Sequence, residues 1–68
     1  MPVFDSEAIF RINYEAEGRT LFVVFASGEL YAYFDVPPEV YEAFLAAESK
    51  GGFFAHEIRD RYAYHHVT

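Results

Sequence analysis

Tyr31-Ala32-Tyr33 sets two phenol rings two residues apart, and in an extended segment that spacing puts them side by side on one face. Neighbouring rings on a strand stack unpaired bases in several single-stranded RNA modules. The same spacing suits a strand packed under a helix, with the hydroxyls at the rim of the core, or a protein contact surface. Lys50, Arg59 and Arg61 are the second chemical feature. Two guanidinium groups and an ammonium near the backbone of Gly51-Gly52 could hold a phosphate. Their structural uses are the cheaper reading: cations late in a helix favour its dipole, pair with nearby acids and lay their stems over residues such as Ile58.

Bond-making chemistry has less to work with. Ser6, Ser27 and Ser49 are the serines, and none lies in a local nucleophile motif. Ser6 reads as a turn or cap residue and Ser27 as part of a hairpin. His56 and Asp60, four apart on a helix, supply two metal ligands where a site needs three or four. His65 and His66 would diverge in an extended tail. The absence of cysteine removes disulfides, thiolate-bound zinc and thiol catalysis together. No catalytic residue, metal or cofactor is expected, and so small a chain has little volume for a deep pocket.

The chain has 68 residues, room for one core and hence for a single domain over 1–68. At 53% apolar it should fold rather than stay disordered. No stretch approaches the roughly 20 apolar residues that span a bilayer, so no membrane partner is expected and a cytoplasmic location is. The net charge is −6, unlike that of a free-standing binder of phosphate backbones. The acids are concentrated early. Residues 1–48 hold two arginines against nine acids, whereas residues 49–68 hold three cations against two acids. Any anion-binding surface therefore belongs to the last third. Aromatic residues make up 21% of the chain, more rings than one small core hides easily.

These side chains must be positioned by few elements. Residues 8–14 alternate, with Phe10, Ile12 and Tyr14 facing one way and Arg11 and Asn13 the other, as in a half-buried strand. A polar turn containing Gly18 leads to residues 20–26, apolar on both parities and so suited to a central strand. Ser27-Gly28 fits a tight hairpin, and residues 29–35 return with Leu30, Ala32 and Phe34 opposite the tyrosines. Pro37-Pro38 ends the sheet and opens a helix whose stripe of Val40, Tyr41, Phe44, Leu45 and Ala47 runs through residue 48. Gly51-Gly52 is expected to stop it. A second helical segment from about residue 53 to 61 aligns Phe54, Ile58 and Tyr62, and residues 63–68 form a tail or short terminal strand. The expected fold is α+β and two-layered: a three-stranded antiparallel β-meander, then two short helices packed on one sheet face. The other face is also apolar, and awaits a partner protein, a second copy or the rest of a longer chain.

The assembled pattern resembles the KTSC domain family, small domains at the C-terminus of some lysyl-tRNA synthetases and also free-standing bacterial proteins. The resemblance runs from Ser6 to Tyr62. It is carried by Ser6 with Ile9, Ile12 and Tyr14; Leu21-Phe22-Val23-Val24-Phe25 before Gly28; Tyr31-Ala32-Tyr33; Val36-Pro37 leading to Val40-Tyr41; Ala47 with Ser49; Gly51; Phe53-Phe54; and Ile58-Arg59 before Tyr62. The family pattern usually has glycine where this chain has Asn13, aspartate where it has Glu15 and asparagine where it has Ala55; the last change removes an amide that could contact a ligand. The family has no established activity. The synthetase fusion implies RNA, specifically tRNA, with Tyr31 and Tyr33 stacking on bases and Lys50 and Arg59 meeting phosphate. The expectation is thus a non-enzymatic accessory domain, weakly RNA-associated when isolated. Its alternative is a homodimerisation or protein-interaction module that uses the second sheet face.

Overall fold

The computed structural model describes residues 9–68. Ser6, with the turn or cap expected there, lies outside them. The elements are β1 (Ile9–Glu15), β2 (Thr20–Phe25), β3 (Leu30–Tyr33), α1 (Pro38–Ala46), α2 (Lys50–Phe53), a π-helical turn (Phe54–Ile58) that continues α2, and β4 (Tyr64–His66). The fold is α+β, but its antiparallel sheet has four strands in the order β1-β2-β3-β4, not three. The terminal segment supplies the fourth by pairing Tyr64, His65 and His66 with Tyr33, Ala32 and Tyr31. No helix among the described residues is long and apolar enough to cross a membrane.

Register sorts the side chains. Tyr14 lies opposite Leu21 and Ile12 opposite Val23, while Leu21 and Val23 face Tyr33 and Tyr31 across the next ladder. Residues on this face alternate with those on the other. They meet Val36, Phe44, Phe54 and Ile58 in one core cluster. Both helices therefore cover the face that carries Tyr31 and Tyr33. Phe10 departs from the expected alternation. The register shifts between Ile9 and Arg11, so β1 spends one extra residue, Ile9 packs against the core and Phe10 is 70% exposed.

The turns carry the unusual backbone. Phe25 and Glu29 close the β2–β3 loop through a hydrogen bond from Phe25 N–H to the Glu29 carbonyl at 2.9 Å, and Gly28 there adopts φ +98°, a conformation that suits glycine. In the first turn the positive φ falls on Arg19 (53°) rather than on Gly18. The Arg19 carbonyl accepts from Val36 N–H at 2.8 Å, and the Val36 carbonyl accepts from the Tyr14 hydroxyl at 2.6 Å. Both polar groups of fully buried Val36 are satisfied this way, which ties the exit from the sheet to β1 and its turn.

The helices differ from expectation at their junction. α1 ends at Ala46, short of residue 48, because Ala47 is extended at ψ 138°. Gly51-Gly52 does not stop a helix; it lies inside the next one. Ser49 starts that helix by accepting Gly52 N–H at Oγ, 3.0 Å away, a capping bond that offsets the poor helix propensity of two glycines. Along α1, Phe44 is fully buried and stacks on Phe53 at 5.2 Å, and Tyr41 stacks on Tyr14 at 4.7 Å. Leu45, expected on the buried stripe, is 49% exposed. With Val40, Tyr41 and Phe44 aimed at the sheet, its angle around the short helix falls outside the contact.

Tyr14→Phe removes the hydroxyl while keeping the ring. It should cost about 1 kcal/mol in urea unfolding, or somewhat more because the Val36 carbonyl loses its partner. An unchanged unfolding midpoint would show that this link does not hold the crossover.

Candidate functional site

A groove of about 450 Å³ opens between the β3–β4 side of the sheet and the π-helical turn. Tyr31 and Tyr33 of β3 and Tyr64 of β4 line one side. Phe54, Ala55, Arg59 and Asp60 line the other, and Phe25 and Glu29 close the end. The π-helical turn shapes the helical side: Arg59 N–H reaches back five residues to the Phe54 carbonyl at 2.9 Å. Phe54 and Ile58 are buried while Arg59 and Asp60 stay exposed beside the opening. Phe54 meets Phe25 and Tyr33 edge-on, each at 5.5 Å. That arrangement suits aromatic rings, whose positive edges approach negative faces.

Three of the four residues singled out from the sequence come together here: Tyr31, Tyr33 and Arg59. Lys50 does not join them. Its Nζ donates to the Ala47 carbonyl at 2.7 Å, which commits the ammonium to the end of α1. Arg61 is exposed and outside the groove lining. The tyrosines are not an open pair of platforms. Tyr33 is only 3% exposed, since Phe54 covers it, and offers the groove a small part of its surface. Tyr31 is half-buried, with the edge of Phe25 at 5.4 Å and the His66 ring stacked on it at 4.4 Å. His56 is exposed and outside the groove lining, to which Asp60 belongs. Among the described residues no group of three or more histidines and acids could hold a metal.

Tyr64, Glu29 and Ala55 were not picked out as site residues. Tyr64 depends on β4, which has no apolar alternation to betray it. Ala55 stands where the family pattern usually carries asparagine, and that position lies in the groove. Among the described residues the surface thus offers flat rings, the carboxylates of Glu29 and Asp60 as hydrogen-bond acceptors and the guanidinium of Arg59. These are the means to bind a flat polar group.

Residues 5–62 match the KTSC domain model. The chain belongs to the KTSC domain family. A KTSC domain protein from Yersinia pestis has the same fold at TM-score 0.85, with 30% identity over 88% of this chain and 84% of that one. A protein of Tsukamurella paurometabola is 37% identical over 91% of this chain and 92% of its own length. A lysine–tRNA ligase of Nostoc punctiforme is 34% identical over 94% of this chain, which corresponds to only 11% of the ligase. The KTSC unit therefore occurs both in proteins of its own size and as a small part of a tRNA ligase.

Tyr33 also reports on the groove. Its hydroxyl is pushed up from 10.0 to about 12, chiefly by burial and then by Tyr31 and Tyr64 beside it, with Arg59 pulling it back. A raised pKa means that the unfolded chain loses this proton first. The stabilisation is complete below pH 10 and falls away as pH rises towards about 12. An ultraviolet titration of the folded protein should show one tyrosine ionising late, and Tyr33→Phe should remove that step alone. A wild-type curve with every tyrosine near pH 10 would contradict the packing of Phe54 over Tyr33.

Proposed function

We propose that this KTSC domain is a non-catalytic accessory module that associates with RNA, tRNA above all, by taking an unpaired base into the groove between β3 and the π-helical turn. The observation that carries this reading is the convergence of Tyr31, Tyr33 and Arg59, from separate parts of the chain, on one groove. Rings stack on bases of any identity, carboxylates such as Glu29 and Asp60 accept from the amino and imino groups at base edges, and Arg59 is free to meet the adjoining phosphate. The similarity to part of a lysine–tRNA ligase supports the choice of tRNA. This function belongs in the cytoplasm, where tRNA is charged.

The charge sets the terms. At −6, the chain gains little from bulk attraction to phosphate. With Lys50 committed to Ala47, Arg59 is the one cation that lines the groove among the described residues. Base contacts must then carry the affinity. Binding should be weak for the isolated domain and stronger where a neighbouring RNA-binding domain raises the effective concentration.

A second reading rests on the sheet face away from the helices. Phe22, Val24 and Leu30 are half-buried there in a chain that also leaves Phe10 70% exposed. Burial of that face would make the domain a homodimer or a docking site for another protein. Salt separates the two readings, because apolar association persists or strengthens with salt.

Bulk tRNA titrated into the purified protein, with mass read by light scattering in the same samples, tests both. Saturable binding is expected at low salt. The logarithm of affinity should fall with the logarithm of salt at a slope of about −0.7, the value for one single-strand phosphate. Arg59→Ala should flatten that slope while the protein stays folded. No binding together with a dimer mass would favour the sheet-face reading. A slope of about −3 or steeper would mean that cations outside the groove do the work.

A further inference from the structure

His66 lies flat on Tyr31. The ring centroids are 4.4 Å apart and the planes differ by 8°, the shortest and flattest ring contact among the described residues. The other near-parallel contacts join phenyl or phenol rings, as in Tyr14 on Tyr41 and Phe44 on Phe53. Here a nitrogen heterocycle covers a tyrosine that lines the groove. Its backbone is fixed: β4 pairs with β3, and beyond it Val67 N–H donates to the Leu30 carbonyl and Leu30 N–H to the Thr68 carbonyl, each at 2.8 Å. The ring itself is held less, on a three-residue strand whose residues are all exposed. The His66 side chain has one hydrogen-bonding contact, Nε2 to the Thr68 carbonyl at 3.1 Å, within the same terminal segment. Tyr31, by contrast, is held from behind by the edge of Phe25 and beside Tyr33. Rotation of the imidazole about its own side-chain bonds would bare the Tyr31 face and lengthen the groove, without breaking the β3–β4 ladder.

We propose that Tyr31 is the base-stacking residue and that His66, which is not itself part of the groove lining, covers the adjoining ring face that a base entering from the groove takes, so that RNA and His66 compete for one face of one ring. The proposal rests on the RNA reading above and adds which ring is used and what must leave it. The chemistry is the same for both occupants. Each is a flat nitrogen heterocycle with polar edges, and such a ring packs its face on the phenol face of Tyr31. Tyr33, covered by Phe54, takes no base of its own.

The test uses the full chain and a fluorescein-labelled single-stranded RNA of mixed sequence at low salt. His66 is exposed, so His66→Ala should leave the fold intact. It should tighten RNA binding about three- to tenfold, the worth of an aromatic pair no longer to be displaced. Proton NMR supplies an independent reading. In free protein the His66 ring protons should be shifted upfield by the Tyr31 ring current. Saturating RNA should return them towards exposed values while His56 stays unmoved. Binding that depends on Arg59 but is unchanged or weaker in His66→Ala, with His66 still upfield in the complex, would overturn the competition and leave the RNA reading standing. RNA binding by neither wild type nor His66→Ala would overturn both.

Discussion

Phe54, driven edge-on into the angle between Phe25 and Tyr33, is the contact on which the rest of the structure depends. It docks the second helical segment onto the sheet and hides Tyr33. It also anchors the π-helical turn that leaves Arg59 and Asp60 beside the opening. In so short a chain few other groups could do this. The fully buried side chains are Phe44, Leu21, Ile58, Val23 and Val36, and the aromatic rings supply the remaining bulk between the layers. The richness in Phe and Tyr is thus largely a packing necessity. The proposed binding surface is what this packing leaves uncovered along β3 and β4.

Parts of this arrangement were legible in the sequence because they obey simple periods. The two-residue repeat of Tyr31 and Tyr33, and the doubly apolar β2, predicted the central hairpin and its shared face. Pro37-Pro38 marked the passage from sheet to helix. Other parts follow no local period. The residues Phe10, Ile12 and Tyr14 alternate perfectly, yet a bulge sends Phe10 outward because Ile9 reaches the core instead. Gly51-Gly52 reads as a break, but Ser49 caps a helix through it, and Gly51 is buried beneath the groove. Tyr64-His65-His66 left a tail and a short terminal strand equally open, since all three are exposed and their order comes from backbone pairing with β3. Half the groove was therefore visible from sequence: the tyrosines and Arg59. The missing half came from the strand and the turn that tertiary packing alone creates.

Electrostatics bear directly on the proposed pairing of an acidic chain with a polyanionic partner. A site that works by neutralising phosphates needs many cations, and among the described residues this groove is lined by one. Stacking and base-edge hydrogen bonds carry no such requirement. Carboxylates that would repel a phosphate backbone at long range are useful acceptors at a base edge. An acidic domain of this kind is suited to act beside a partner that brings the RNA within reach, in keeping with a unit found within a tRNA ligase as well as in proteins of its own size.

The most direct measurement is an amide chemical-shift map of the ¹⁵N-labelled protein titrated with single-stranded RNA. The account predicts that perturbations cluster on Glu29, Tyr31, Ala55, Arg59, Asp60 and Tyr64, around the groove, while Phe22, Val24 and Leu30 on the opposite sheet face stay still. Perturbations confined to that opposite face, or none at millimolar RNA, would contradict it.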